Sequence, residues 1–170
     1  MATLFDGRID VHYGFWSISE TDGDPGDLTA AFEGQTNGLL GGQVPGALWG
    51  RTGLHTGPVR LRVEGADGAQ PVAETWEDVV EVSFQPPRAA TLGAFEEFHE
   101  LPDWPSAPWL RARLHARSMD AARATDSLGH EQEPIDEYLL VLWPEDAPRT
   151  DEVLLRTSTI ADHWHGSTTG

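Results

Sequence analysis

An all-β fold is predicted for this chain, an antiparallel β-sandwich of about seven or eight strands with one or two short helices. Three observations predict it. Several stretches alternate apolar and polar residues at period two, the spacing that puts one face of a strand inward. Eighteen glycines and twelve prolines are spread through the 170 residues, so the chain is cut into short segments. No long stretch with a 3.6-residue period separates the strand candidates, which argues against parallel βαβ units. Residues 1–160 are expected to form a single sandwich domain, with residues 161–170 as a flexible C-terminal tail.

Taken in order, the first strand candidate is RIDVHYGFWSI, residues 8–18, with Ile9, Val11, Tyr13 and Phe15 on one face. The acidic, turn-rich SETDGDPGD, residues 19–27, should be an exposed loop. Residues 27–38 have room for one helical turn, and the glycine-rich residues 39–53 read as irregular. Strands are expected at residues 59–64 and 78–84, with Ala66-Asp67-Gly68 as a tight reversal after the first. Residues 91–104 read as a further strand or short helix. WLRARLHAR, residues 109–117, alternates apolar and basic residues almost without fault. Ala and Arg favour a short helix in residues 120–134, stopped by Gly129 and Pro134. The apolar run Tyr138 to Trp143 marks a central strand, and residues 152–159 close the set. The expected core comprises Val11, Tyr13, Phe15, Leu61, Val63, Val80, Val82, Leu114, Leu140 and Leu142.

The formal net charge is −17, from 28 acidic residues against 11 basic ones, and every basic residue is arginine. Such a field repels nucleic acid and anionic lipid and speeds encounter with a basic protein. Cysteine is absent, which excludes disulfides, thiolate metal sites and a thiol nucleophile. The N-terminal residues lack the basic and apolar regions of a signal peptide, and no stretch is apolar enough to span a membrane. A cytoplasmic location, without nucleic-acid or membrane partners, is expected; the oligomeric state is left open.

No motif announces catalysis. There is no G-x-S-x-G elbow, P-loop or G-x-G-x-x-G. Adjacent carboxylates such as Glu96-Glu97 and Asp136-Glu137 are what a strongly acidic surface produces by chance. No cofactor or metal is expected; the pair nearest to a ligand spacing is His163 and His165, which would share a side if their segment were extended. Seven tryptophans are the remaining anomaly. Trp104 and Trp109, in the proline-flanked loop DWPSAPW, are candidates for a binding edge.

The strand WEDVVEVSF (residues 76–84), the segment LPDWPSAPWLRARLHAR (101–117) and DEYLLVLWPED (136–146) occur in an order that resembles the competence protein J family of bacterial nuclease inhibitors. The resemblance covers Trp76 to Asp146; the glycine-rich first half and residues 120–133 depart from it. It implies a small β-sandwich that is not an enzyme and that binds and blocks a partner, and it transfers no site residue. The expected function is therefore that of a non-enzymatic acidic binding protein, an inhibitor or immunity-type partner of a basic protein such as a nuclease or toxin. The candidate partner-binding residues are Glu96, Glu97, Glu100, Asp103, Trp104 and Trp109. The alternative is a sandwich that binds an anionic small ligand or carbohydrate, with Arg111, Arg113 and Arg117 as ligand-binding residues and tryptophans stacking on the ligand. The bland reading of those arginines is the solvated face of a strand, paired across to Glu77, Asp78 and Glu81 or to Asp136 and Glu137.

Overall fold

A computed structural model describes residues 1–168. Eleven strands and three short helices are present among them: β1 (Ala2–His12), β2 (Phe15–Glu20), α1 (Leu28–Ala31), β3 (Leu40–Gly41), β4 (Ala47–Arg51), β5 (Thr56–Gly65), β6 (Asp78–Phe84), β7 (Ala90–Ala94), β8 (Glu97–Leu101), β9 (Trp109–Arg117), α2 (Met119–Thr125), β10 (Glu137–Glu145), β11 (Glu152–Leu155) and α3 (Thr159–Thr168).

The strands form one mixed sheet, in the order β11-β6-β9-β10-β5-β1-β2-β4-β3, with β7 added to β2 and β8 to β7. The fold is β-rich as predicted, but it is not the antiparallel sandwich of about seven or eight strands expected. Strands β5 and β10 run parallel, Tyr138 beside Leu61 and Leu140 beside Val63, because the chain leaves β5 and returns to it only after β6 to β9 are laid down. The Asp67-Gly68 reversal makes no hairpin either: β6 pairs with β9 and β11, away from β5.

The expected first strand is in fact two. Tyr13 and Gly14 have φ values of 62° and 72°, and they close a two-residue turn between His12 and Phe15. Positive φ at both central residues is the hairpin geometry that suits strand twist. The turn resets the alternation, so Trp16 and Ile18 are buried where Tyr13 and Phe15 were expected; Tyr13 is 67% exposed. The other expected core residues are buried as read.

The pair His12–Phe15 is all that joins β1 to β2, so the ladder folds there into two wings around one core. One wing supplies Ile9, Leu61, Val80, Leu114 and Leu140; the other supplies Trp16, Ile18, Leu48 and Leu92. The far ends of the wings meet. Gly46 N–H donates to the Gln85 carbonyl at 2.9 Å, and a Cβ on Gly42 would lie 3.1 Å from that of Phe84.

In β9 the inward face is as predicted, with Leu110, Ala112, Leu114 and Ala116 fully buried. The basic face is not solvated, however. Arg111 is 0% exposed, and Arg113 and His115 are buried too. Trp143 and Trp76 lie against the Arg113 and Arg117 guanidinium groups, and the Arg149 and Thr150 carbonyls accept from Arg111. Residues 161–168, read from the sequence as tail, belong to α3 as far as they are described, with Ala161 and His165 buried. Residues 169 and 170 of that expectation lie outside the described residues.

Candidate functional site

The site follows from a row of cross-strand neighbours on the outer face of the second wing. In register across β8, β7, β2 and β4 stand Phe98, Gly93, Ser17 and Trp49. Directly opposite residues share a face, so a bulky ring, two small residues and a second bulky ring lie side by side. The next row, Glu100, Thr91, Ser19 and Ala47, repeats the small centre. Two small positions between large ones leave a trough.

The Phe98 ring leans over Gly93, 3.5 Å from where a Cβ would stand there. On the other side Trp49 stacks edge-on with Phe15 at 5.3 Å, and its Nε1 donates to the Pro25 carbonyl at 3.0 Å, which draws the acidic loop of residues 21–27 against the trough. The β1–β2 and β7–β8 turns close one end. Tyr13 and Phe95 both pack on His12, with ring centroids 4.2 and 4.5 Å away, and Tyr13 also meets His55. The result is a groove of about 610 Å³ lined by Tyr13, Phe15, Trp49, Phe95 and Phe98, with Asp24 and Glu96 at its rim. An adjoining hollow over Ser19 and Thr91 adds Glu20, Asp22 and Glu100. Phe98 is 76% exposed and Phe95 52%, unusual for phenylalanines at the centre of an acidic surface.

Of the sequence-derived partner residues, Glu96 and Glu100 stand at this groove and its hollow. Glu97 points the other way, accepting from Asp10 N–H and lying 3.2 Å from His99 Nε2. Asp103 is exposed, and the neighbouring Trp104 donates to the Pro87 carbonyl at 3.1 Å and packs against Phe84. Trp109 lines a separate groove with Gln85, Pro148 and Arg149. Tyr13, Phe95 and Phe98 were missed. The signal was in FEEFHEL, residues 95–101, where period two places Phe98 and Glu100 on one face and His99 and Leu101 on the other.

The three ligand-candidate arginines are paired within the fold. Glu81 lies 2.9 Å from Arg111 Nε and 2.8 Å from Arg113 Nε, and Glu137 accepts from Arg117 at 2.6 Å. Burial alone would raise the Glu81 pKa, but the hydrogen bonds and charges of the two arginines outweigh it and hold the carboxyl below its ordinary range. Arg149 extends the network, bonded to Glu145 at 2.6 Å. Within α3, His163 and His165 are two residues apart on a helix and so diverge: His163 is exposed, while His165 is buried and its Nδ1 accepts from Gly38 N–H at 2.9 Å. Among the described residues no group of three or more His, Cys, Asp or Glu is placed to hold a metal ion. No helix among them is long and apolar enough to cross a membrane.

No family model matches the chain, and no curated protein matches it. Among solved structures, the crystal structure of ComJ from Bacillus subtilis, described as an inhibitor of the DNA degrading activity of NucA, is similar with a TM-score of 0.51 and 12% identity, over 83% of this chain and 96% of that one. A crocagin biosynthetic protein J is matched with a TM-score of 0.46 and 13% identity, over 85% of this chain and 99% of that one. The resemblance read from Trp76 to Asp146 is thus met by a likeness of fold that extends beyond those residues, and the chain shares its fold with ComJ.

Proposed function

We propose that the chain is a non-enzymatic inhibitor or immunity-type protein that docks a basic protein, such as a nuclease or toxin, on the outer face of β2, β7 and β8. The observation that carries this reading is the groove itself. It sets exposed Tyr13, Phe95 and Phe98 among Asp22, Asp24, Glu96 and Glu100 on a molecule of net charge −17. Aromatic anchors surrounded by charge of one sign suit a partner of the opposite sign: the rim steers encounter and the rings supply contact area. The fold shared with ComJ, itself described as a nuclease inhibitor, supports the same class of role.

The test is capture of a basic partner by the immobilised chain, followed by assay of that partner's activity with and without the chain. Binding should fall at least tenfold between about 0.05 and about 0.5 M salt. It should also fall when Asp24, Glu96 and Glu100 are replaced by their amides. Binding indifferent to both salt and these substitutions would sink the reading, as would a bound partner whose activity is unaltered.

A further inference from the structure

We infer that the groove receives an arginine side chain projected by the partner, its guanidinium stacked among Tyr13, Phe95 and Phe98 with Asp24 or Glu96 as counter-charge. This rests on the docking reading and names the group that the site would recognise. Aromatic faces carry a negative quadrupole and attract cations, most strongly where water is partly excluded.

The chain itself uses this contact repeatedly. Arg51 lies 4.7 Å from the centroid of Phe32 and 4.1 Å from that of Trp164; Arg113 lies over Trp143 and Arg117 over Trp76. Among the described residues no arginine of the chain reaches Tyr13, Phe95 or Phe98, and none lines the groove. The richest concentration of exposed rings is therefore one to which the fold brings no guanidinium of its own; the imidazoles of His12 and His55 pack against it instead. Two carboxylates at the rim disfavour an anionic occupant and favour a cationic one. A planar guanidinium stacks on rings and pairs with a carboxylate at its edge at the same time, which an ammonium does less well. The groove, at about 610 Å³, has room for such a side chain together with the backbone that presents it.

The inference is tested on the intact chain by following backbone amide resonances while titrating N-acetyl-arginine amide, with N-acetyl-citrulline amide as the neutral counterpart of nearly the same shape. The arginine compound should shift Gly93, Ala94, Phe95, Glu96 and Phe98 saturably, and the citrulline compound should bind several-fold more weakly. Phe98→Leu, which keeps an apolar side chain at an exposed position but removes the ring, should weaken arginine binding about 2- to 5-fold. Glu96→Gln should weaken it as well. Equal binding of the two compounds, shifts confined to other parts of the molecule, or a Phe98→Leu variant that binds as the parent does would each overturn the inference. A basic partner held in a salt-dependent way but indifferent to Phe98→Leu would overturn the inference alone and leave the docking reading standing.

Discussion

Glu81 holds two buried guanidinium groups at once, and its removal is the substitution with the clearest expected cost. Glu81→Gln leaves the charges of Arg111 and Arg113 without their common partner, the first of them fully buried, and should lower stability by about 3 kcal/mol or more in chemical denaturation. The same strand carries a pH dependence. Burial depresses the pKa of His115, whose ring is packed on Trp76 with Nδ1 2.9 Å from the Leu139 carbonyl. Burial likewise depresses His165, whose Nδ1 must lack a proton to accept from Gly38 N–H. Above the ordinary value of 6.5 both folded and unfolded forms are neutral at these positions. Below it the unfolded chain takes up protons that the folded chain refuses, so stability falls as pH falls towards the lowered folded values, by at most about 1.4 kcal/mol per pH unit for each histidine. Asp136 acts in the opposite sense. Burial raises its carboxyl, so the folded form binds that proton first as pH falls towards 3.8. Denaturation midpoints between about pH 7.5 and 5.5 should therefore decline, and His115→Phe should flatten the slope. The alternation in residues 109–117 made the inward residues of β9 legible, and acidic cross-strand neighbours for its arginines, Glu81 and Glu137 among them. It could not show that the arginine face is covered, because the cover comes from Trp76, Trp143 and residues 149–150, distant in sequence.

Glycines decide how β2 is placed. Trp16 pairs with Gly50 across β2 and β4 and lays its indole over that residue, where an added Cβ would lie 2.2 Å from the ring. Gly50→Ala should cost about 3 kcal/mol, since the ring is enclosed in the core and cannot swing clear. Gly14→Ala places a side chain at φ +72° and 3.3 Å from the Leu54 carbonyl, and should cost about 1 to 2 kcal/mol. Either substitution should also disturb the groove, since Phe15 and Ser17 alternate with Trp16 on the same strand. Strands β6 and β9 lie where the alternation predicts them, at Asp78–Phe84 and Trp109–Arg117, whereas β5 and β10 run beyond the expected residues 59–64 and 138–143. Strands β3 and β4 were hidden by their glycines, which here admit close-packed neighbours rather than breaking the chain. The β1–β2 turn was hidden because Tyr-Gly lacks the usual Asn-Gly or Asp-Gly signature. Helix α3 was hidden in a polar sequence whose buried residues meet partners from far along the chain: its Trp164 lies over Arg51, and His165 bonds Gly38.

At the scale of the molecule, pairing β5 with β10 and joining the wings through one hairpin brings β2, β7 and β8 onto a common outer face. Residues from 13–25 and 91–100 meet there, a junction that no local reading of the sequence contains. Net charge was legible from composition; the rings that give that charge a focus became visible only with the strand order. An acidic surface of this strength also sets a kinetic expectation. The association rate with a basic partner should fall steeply with ionic strength, whereas Phe98→Ala should act mainly on dissociation, shortening the complex's lifetime severalfold in surface-binding measurements. The central claim is that the β2–β7–β8 face is where the partner sits. Amide hydrogen exchange on the free chain and on the complex tests it most directly. Protection gained over residues 15–25 and 90–100, with the Arg111–Glu81 side of the sheet unaltered, is the result predicted. Protection gained over residues 145–156 or over α3, with residues 90–100 exchanging as in the free chain, would contradict it.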